Sequence, residues 1–405
     1  MPDRDVPRIV ITGIGAVTPL GNDAQTTWRR VLAGDCAAQD WPDLAALGHR
    51  AVRACRVVLP ATAGQAAAAE AQTRRGRTLA LRAAREALAQ AGRPAAPDDR
   101  HAGIFVGSTL GESAAFEAAA AGQAIDLSSY RVPAFCQALA QAFELSGPQE
   151  ALATACAAGN YAVGSAALAL RQGRVPWALA GGVEPFSQLA LVGFSRSRAM
   201  AQGDCKPFDA QRTGMLLGEG AAMLVLERAD DAMARGATVL AEVHGLGLSC
   251  DAHHPTAPRP DGLGMARAMR AALAQSGFAP SDVDWVNLHG TGTRASDAAE
   301  GLALRSVFTG LPMPLLSGSK GALGHALGAA SAIELALCVS ALQHRVLPPT
   351  AGHSLADPEI GLDCTRVATR PGEQGLRVVM NNAFAFGGVN STLVLSQWDT
   401  AWDAA

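Results

Sequence analysis

Apolar positions come in short dense blocks separated by glycine, and their spacing alternates between two periods. RIVITGIG (residues 8–15) reads as a strand running into a glycine turn. RTLALRAAREALAQAG (77–92) places its apolar side chains at helical spacing and stops at Gly92; AGIFVG (102–107) then reads as a strand. Past the middle the wording returns. LAEVHGLG (240–247) repeats the strand and glycine turn, and MARAMRAALAQSG (265–277) repeats the helix ending in glycine. DVDWVNLHG (282–290) then repeats the following strand. The closest local match pairs ALAQAG (87–92) with ALAQSG (272–277). A third echo pairs CAAGNYAVGSAALAL (156–170) with KGALGHALGAASAIELAL (320–337), two stretches lined with Ala, Gly and Ser. Alternating strands and helices predict an α/β architecture. A repeat this long is a duplicated α/β half rather than a solenoid unit, with the halves at 1–235 and 236–405. No Pro/Ser-rich tract separates them, so one continuous core is expected.

Composition sharpens this picture. At 405 residues the chain exceeds the size at which a single core stops growing, which favours two lobes. Hydrophobic residues make up 49% and aromatics only 5%, with 43 glycines, a texture suited to closely approaching backbones. A net charge of -3 gives no general attraction to nucleic acid or to an anionic membrane. Eight cysteines occur without a Cys-x-x-Cys pair or a zinc-type Cys/His spacing. Free thiols in a reducing compartment and no metal site are therefore expected. The N-terminal residues lack a signal-peptide pattern and no apolar run approaches a spanning length, so a soluble cytoplasmic protein is expected.

Candidate chemistry begins at TACAAGN (154–160), where Cys156 sits among very small side chains with no ionisable neighbour beside it. The pattern that follows predicts a helix from near Cys156 to Arg171, with Gly173 as terminator. A helix N-terminus favours a thiolate and lowers a thiol pKa. Taken alone, such a cysteine is more often an inert buried filler. His289 follows a buried strand in the glycine-rich VNLHGTGT, and His325 is expected at the start of a small-residue helix, five residues after Lys320. MNNAFAFGGVNSTLVL (380–395) reads as strand, glycine turn and returning strand, whose turn could offer a backbone N–H to a reacting carbonyl.

These motifs occur in the order TACAAG, KPFDAQRTGMLLGEGA, DAHHPTAP, HGTGTRASDAAE, KGALGHALGAA and NNAFAFGGVN. From about residue 8 to residue 397 the chain resembles the elongating β-ketoacyl-acyl carrier protein synthases of the thiolase superfamily, which use a Cys-His-His triad. The resemblance implies a thiolase-like fold of two pseudo-symmetric α/β halves in αβαβα layers. It implies that Cys156 accepts an acyl chain as a thioester, while His289 and His325 hold a malonyl thioester through decarboxylation. Lys320 would keep His325 neutral, with Glu334 as the lysine's partner. The amides of Cys156 and Phe386 would form an oxyanion hole, and Phe386 and Phe194 would act as gate and channel aromatics. Thr291, Thr293 and Thr256 would contact the pantetheine arm, and no metal or redox cofactor is called for. Acyl carrier protein is the implied partner, in a homodimer or in a heterodimer with a ketosynthase-like subunit.

Arg74, Arg75 and Arg77 form a basic cluster that reads as a solvated face, although the resemblance places Arg74, Arg75 and Arg198 against an acidic carrier. Lys206, Asp209 and Arg212 are expected to form an internal salt-bridge network, and His253 and His254 to be loop residues. The gate turn reads Ala385-Phe386-Gly387-Gly388 where the family has Gly-Phe-Gly-Gly, so restricted loop movement is expected. The segment from Leu110 to Gln149 is shorter than in fatty-acid elongating relatives, and CAAGN with HGTGT leans toward specialised polyketide or polyene pathways. A thiolase would need a second cysteine in NAFAFGG, an initiation-type enzyme one His and an Asn, and a non-catalytic chain-length factor no nucleophile.

Overall fold

The computed structural model describes residues 6–49, 51–60, 73–94, 97–124, 127–372 and 375–399. In chain order the strands are β1 (Ile9–Val17), β2 (Gln39–Asp40), β3 (Arg53–Ala54), β4 (Gly103–Gly107), β5 (Gln149–Leu152) and β6 (Trp177–Glu184). They continue with β7 (Gly220–Arg228), β8 (Ala241–Cys250), β9 (Trp285–Asn287), β10 (Leu315–Ser317), β11 (Val378–Phe384) and β12 (Val389–Ser396). β2 and β3 pair with each other, and the other ten lie in the order β10-β9-β11-β12-β8-β1-β7-β6-β4-β5.

That order is the duplication made visible. The first half runs β5-β4-β6-β7-β1 and the second β10-β9-β11-β12-β8, which is the same permutation of five strands. In each half the first two pairings are parallel and the next two antiparallel. The halves join where β1 meets β8 over three residue pairs, Ile9 with Val243, Val10 with Glu242 and Ile11 with Ala241. Between the halves lie two central helices, Ala158–Arg171 and Ala330–His344, each packed on strands of both halves. Outer helices Arg75–Ala91 and Leu263–Ser276 cover β1/β7 and β8/β12, giving the αβαβα layering. One apolar cluster takes side chains from both halves, including Ile11, Val163, Leu224, Leu335 and Leu393.

The glycines of TGIG and HGLG are not turns, because β1 and β8 run straight through them. A Cβ on Gly13 would lie 2.1 Å from Ala87 O and one on Gly15 2.0 Å from Ala83 O. The equivalent atoms on Gly245 and Gly247 would lie 2.4 Å from Ala272 O and 1.9 Å from Ala268 O. Each outer helix thus rests its backbone on its strand, which explains why the paired wording recurs. Both helices end as predicted at a left-handed glycine, Gly92 (φ 63) and Gly277 (φ 77). The stretch Leu327–His344 is long and apolar enough to cross a bilayer, but 89% of it is buried as the second central helix.

Candidate active site

β5 delivers the chain to Ala155, which holds a left-handed φ of 49, and a short turn Ala155–Ala157 then feeds the central helix. Cys156 sits in that turn, as the helical pattern predicts, and is 7% exposed. His289 stands two residues beyond β9, with its loop held by Glu300. The His289 and Gly290 amides donate to Glu300 Oε1 (2.9 Å) and Oε2 (3.0 Å), and Asn382 Nδ2 donates to Oε1 (3.2 Å).

His325 is not at a helix start. Gly324 (φ 70, ψ 179) ends the short helix Lys320–Leu323, and His325 then runs extended, bridged to Leu217. Its amide donates to Leu216 O (2.7 Å) and its carbonyl accepts from Gly218 (3.0 Å). The central helix begins only at Ala330.

Three distant segments converge on one cavity of about 390 Å³, lined by Cys156, His289, His325, Phe386 and Phe194 among others. The two imidazoles meet edge to face with centroids 5.4 Å apart. Both are held well below the ordinary histidine pKa, first by burial and then by the Lys320 charge. They are therefore neutral. Nδ1 of each ring is buried without a partner. An unused lone pair costs less there than an orphaned N–H, so the proton belongs on Nε2. Lys320 Nζ donates to Glu334 Oε1 (2.5 Å), with Ser319 Oγ on the same oxygen (3.2 Å).

The thiol departs from the sequence reading. Burial pushes Cys156 up to about 12; the Lys320 charge pulls it down without prevailing, while Glu184 and Glu334 push it further up. The resting site is a protonated thiol beside two neutral imidazoles, with desolvation the largest influence on the sulfur.

Phe386 and Phe194 face each other at the cavity wall with centroids 5.3 Å apart. In the gate turn Gly387 N–H donates to Pro255 O (2.8 Å) and Gly388 N–H to Ala385 O (3.1 Å). Ala385 holds φ -106, an extended conformation that alanine adopts without strain, so the turn as it stands does not demand glycine there. Thr291, Thr293 and Thr256 all line the cavity, and Thr291 Oγ1 and Thr293 Oγ1 are 2.9 Å apart.

Arg198 lies exposed at the mouth and Arg74 is exposed on the outer surface. Arg75 is a correction. Its guanidinium binds Glu219 Oε2 (2.6 Å) and Oε1 (2.5 Å) and donates to Val57 O (2.6 Å), so it is held in an internal ion pair rather than standing on a solvated face. The expected network in KPFDAQRTG is also rearranged. Arg212 pairs with Asp357 and lies 3.7 Å from Asp297, while Asp209 accepts the Ser354 and Leu355 amides (2.7 and 2.8 Å). Lys206 turns to Gln211 (3.3 Å). His254 organises its loop by accepting the Thr256 and Ala257 amides (3.1 and 3.0 Å), as a loop residue should.

The sequence reading missed a clamp under the turn Ala385-Phe386-Gly387-Gly388. Asn390 Nδ2 donates to Asp251 Oδ1 (2.8 Å) and to Gly388 O (3.2 Å), while the Asp251 amide also donates to Gly388 O (2.8 Å). Both residues border the cavity. They stand at the edges of quoted motifs, yet nothing in either motif says that positions 251 and 390 touch. Arg294, exposed at the mouth beside Thr293, was likewise hidden inside HGTGTRASDAAE.

Family models for the β-ketoacyl synthase N-terminal domain and C-terminal domain match residues 7–232 and 240–354. The chain is 38% identical to nodulation protein E of Rhizobium meliloti (strain 1021), covering 96% of this chain and 99% of that one. It is 34% identical to 3-oxoacyl-[acyl-carrier-protein] synthase 2 of Staphylococcus aureus (strain COL), covering 97% and 99%. Among solved structures it superposes on the ishigamide ketosynthase/chain length factor with a TM-score of 0.87, 35% identity, and coverage of 97% and 100%. With matches running over both halves at this identity, the chain belongs to the β-ketoacyl synthase family and is an acyltransferase of the ketosynthase type.

Proposed function

We propose that this ketosynthase loads an acyl chain from acyl carrier protein onto Cys156 and extends it by decarboxylative condensation with malonyl-carrier. The observation that carries the reading is the single cavity bordered by Cys156, His289 and His325, drawn from three segments far apart in sequence. In the loading step Cys156 Sγ attacks the thioester carbonyl of the carrier's phosphopantetheine. The carrier C–S bond breaks, and the thiol proton passes to the departing pantetheine sulfur. The amides of Cys156 and Phe386 hold the oxyanion formed on the way.

In the second step the malonyl carboxylate leaves as carbon dioxide, and its bonding pair moves into an enolate. The Nε2–H groups of His289 and His325 stabilise the enolate oxygen, a task for which neutral donors suffice. Lys320, tied to Glu334, supplies the fixed charge that keeps both rings unprotonated. The enolate carbon then attacks the acyl-Cys156 carbonyl. The C–S bond breaks, the β-ketoacyl chain leaves on the carrier, and the thiolate takes a proton from solvent. Thr291, Thr293 and Thr256 hold the pantetheine arm, Phe194 and Phe386 border the acyl path, and Arg198 and Arg74 receive the acidic carrier.

Cys156→Ala should abolish acyl loading, read as a mass adduct, yet retain carbon dioxide release from malonyl-carrier. His325→Ala should lose carbon dioxide release far more than loading. Condensation surviving Cys156→Ala, or equal loss of both half-reactions in His325→Ala, would overturn these roles.

A specialised polyketide or polyene pathway is favoured over fatty-acid synthesis, supported by the likeness to a ketosynthase/chain length factor at 35% identity. A heterodimer with a chain-length-factor-like subunit is the alternative to a homodimer. Size exclusion of the protein purified alone, combined with detection of the acyl adduct, separates the two.

A further inference from the structure

Below the cavity runs a buried chain of amides that none of these steps uses. Asn160 lies one helical turn after Cys156, Asn287 two residues before His289, and Ser331 six residues after His325. Asn381, on β11, binds all three. Its Nδ2 donates to Asn160 Oδ1 (2.9 Å) and to Ser331 O (3.0 Å), and its Oδ1 accepts from Asn287 Nδ2 (2.7 Å). Its main-chain oxygen accepts from Asn160 Nδ2 (3.2 Å), which also reaches Ser391 Oγ (3.2 Å). The Asn160 amide closes the circuit on Ser331 Oγ (3.0 Å). All of these residues are buried.

Burying three primary amides is costly unless each is hydrogen-bonded, and apolar side chains of similar size would fill the same space with little loss of stability. A satisfied network does what an apolar core does not: it admits only one relative placement of the segments it joins. The segments joined here are those carrying the thiol and both histidines. We infer that Asn381 is a positioning residue, which fixes the nucleophile segment in register with the two histidine segments. The inference rests on the reaction proposed above. Loading involves the thiol segment and decarboxylation the histidine segments, whereas condensation requires both at bonding distance at once. A misplacement of about 1 Å can cost about 100-fold in such a step.

The test compares the parent with Asn381→Ala and with Asn160→Leu/Asn381→Leu, the second keeping the core filled with apolar groups. Three rates are read: acyl loading by intact mass, carbon dioxide release from malonyl-carrier, and formation of the β-ketoacyl product. Loading should stay within about 3-fold of the parent, while condensation falls about 10- to 100-fold and carbon dioxide release, which needs only the two histidine segments in register, falls less than condensation. Condensation keeping pace with the half-reactions in both variants would overturn the role. So would a common fall of all three rates in proportion to the folded fraction by circular dichroism, since that marks a structural residue only. A parent protein that neither loads acyl nor releases carbon dioxide would instead refute the functional reading, and the positioning role with it.

Discussion

Lys320→Met should destabilise the protein by about 3–5 kcal/mol near neutral pH, because it leaves a carboxylate buried without its cation. The ion pair is 2.5 Å long and its side chains are only 1% and 2% exposed. Glu334 Oε2 has no partner at all, so nothing but Ser319 Oγ would remain on the carboxyl. With about 2.1 cal/mol/K of unfolding entropy per residue, 405 residues give about 0.85 kcal/mol/K. The expected fall in Tm is therefore about 4–6 °C.

The loss must also depend on pH, and its sign follows from the carboxyl. Burial already raises Glu334 above the ordinary range, and Lys320 supplies the two largest opposing effects. Without Lys320 the folded-state pKa climbs further, while the unfolded value stays near 4.3. Above that pH the native state keeps a proton that the unfolded state has released. Stability then falls by about 1.4 kcal/mol per pH unit until the folded group ionises. Thermal denaturation at pH 5 and pH 8 should show a small defect at the first and the full defect at the second. Lys320→Met/Glu334→Gln removes both charges and should recover most of the loss at pH 8. Equal Tm values for the single and double variants at pH 8 would refute the reasoning.

Three further outcomes are expected. Alkylation of Cys156 by iodoacetamide, followed on its own peptide by mass spectrometry, should rise about tenfold per pH unit from pH 7 to pH 9, since burial holds the thiol protonated up to about 12; a plateau below pH 9 would show that the helix terminus prevails. Gly247→Ala, whose Cβ would lie 1.9 Å from Ala268 O, should lower stability by about 1–3 kcal/mol or more. Gly193→Ala, in a helix with nothing within 4 Å of the added carbon, should raise it by about 0.5–1 kcal/mol in the same thermal assay.

What the sequence made legible was whatever is written locally. The helix ends at Gly92 and Gly277, the strand–turn–strand around Phe386 and the loops carrying Cys156 and His289 each declare themselves within about ten residues. What it hid depends on partners far away. Arg75 looks like its neighbours Arg74 and Arg77 until Glu219, 144 positions on, captures it. The amide circuit is similar, since Asn160 and Asn381 are 221 positions apart and each is unremarkable where it stands. The thiol's protonation is hidden for a related reason: a helix terminus is a local signal, whereas depth of burial, the largest influence on the sulfur, belongs to the whole fold.

The duplication raises a question that these distances answer: why two equivalent turns yield only one nucleophile. The turn Ala155–Ala157 and the turn Leu327–Ala329 each open on a left-handed residue, with φ of 49 and 44, and each feeds a central helix. Cys156 occupies the second position of the first turn, and Gly328 the same position of the other. A Cβ on Gly328 would lie 2.4 Å from Thr109 N, so that position has no room for any side chain. Its amide donates to Glu184 Oε2 (2.9 Å), the oxygen that also takes Thr109 N–H (2.6 Å). Glu184 is fully buried, pushed up to about 7 by that burial, and belongs to the first half, as does Thr109. The second turn is therefore occupied in joining the halves, which leaves the first turn as the one free to carry a thiol.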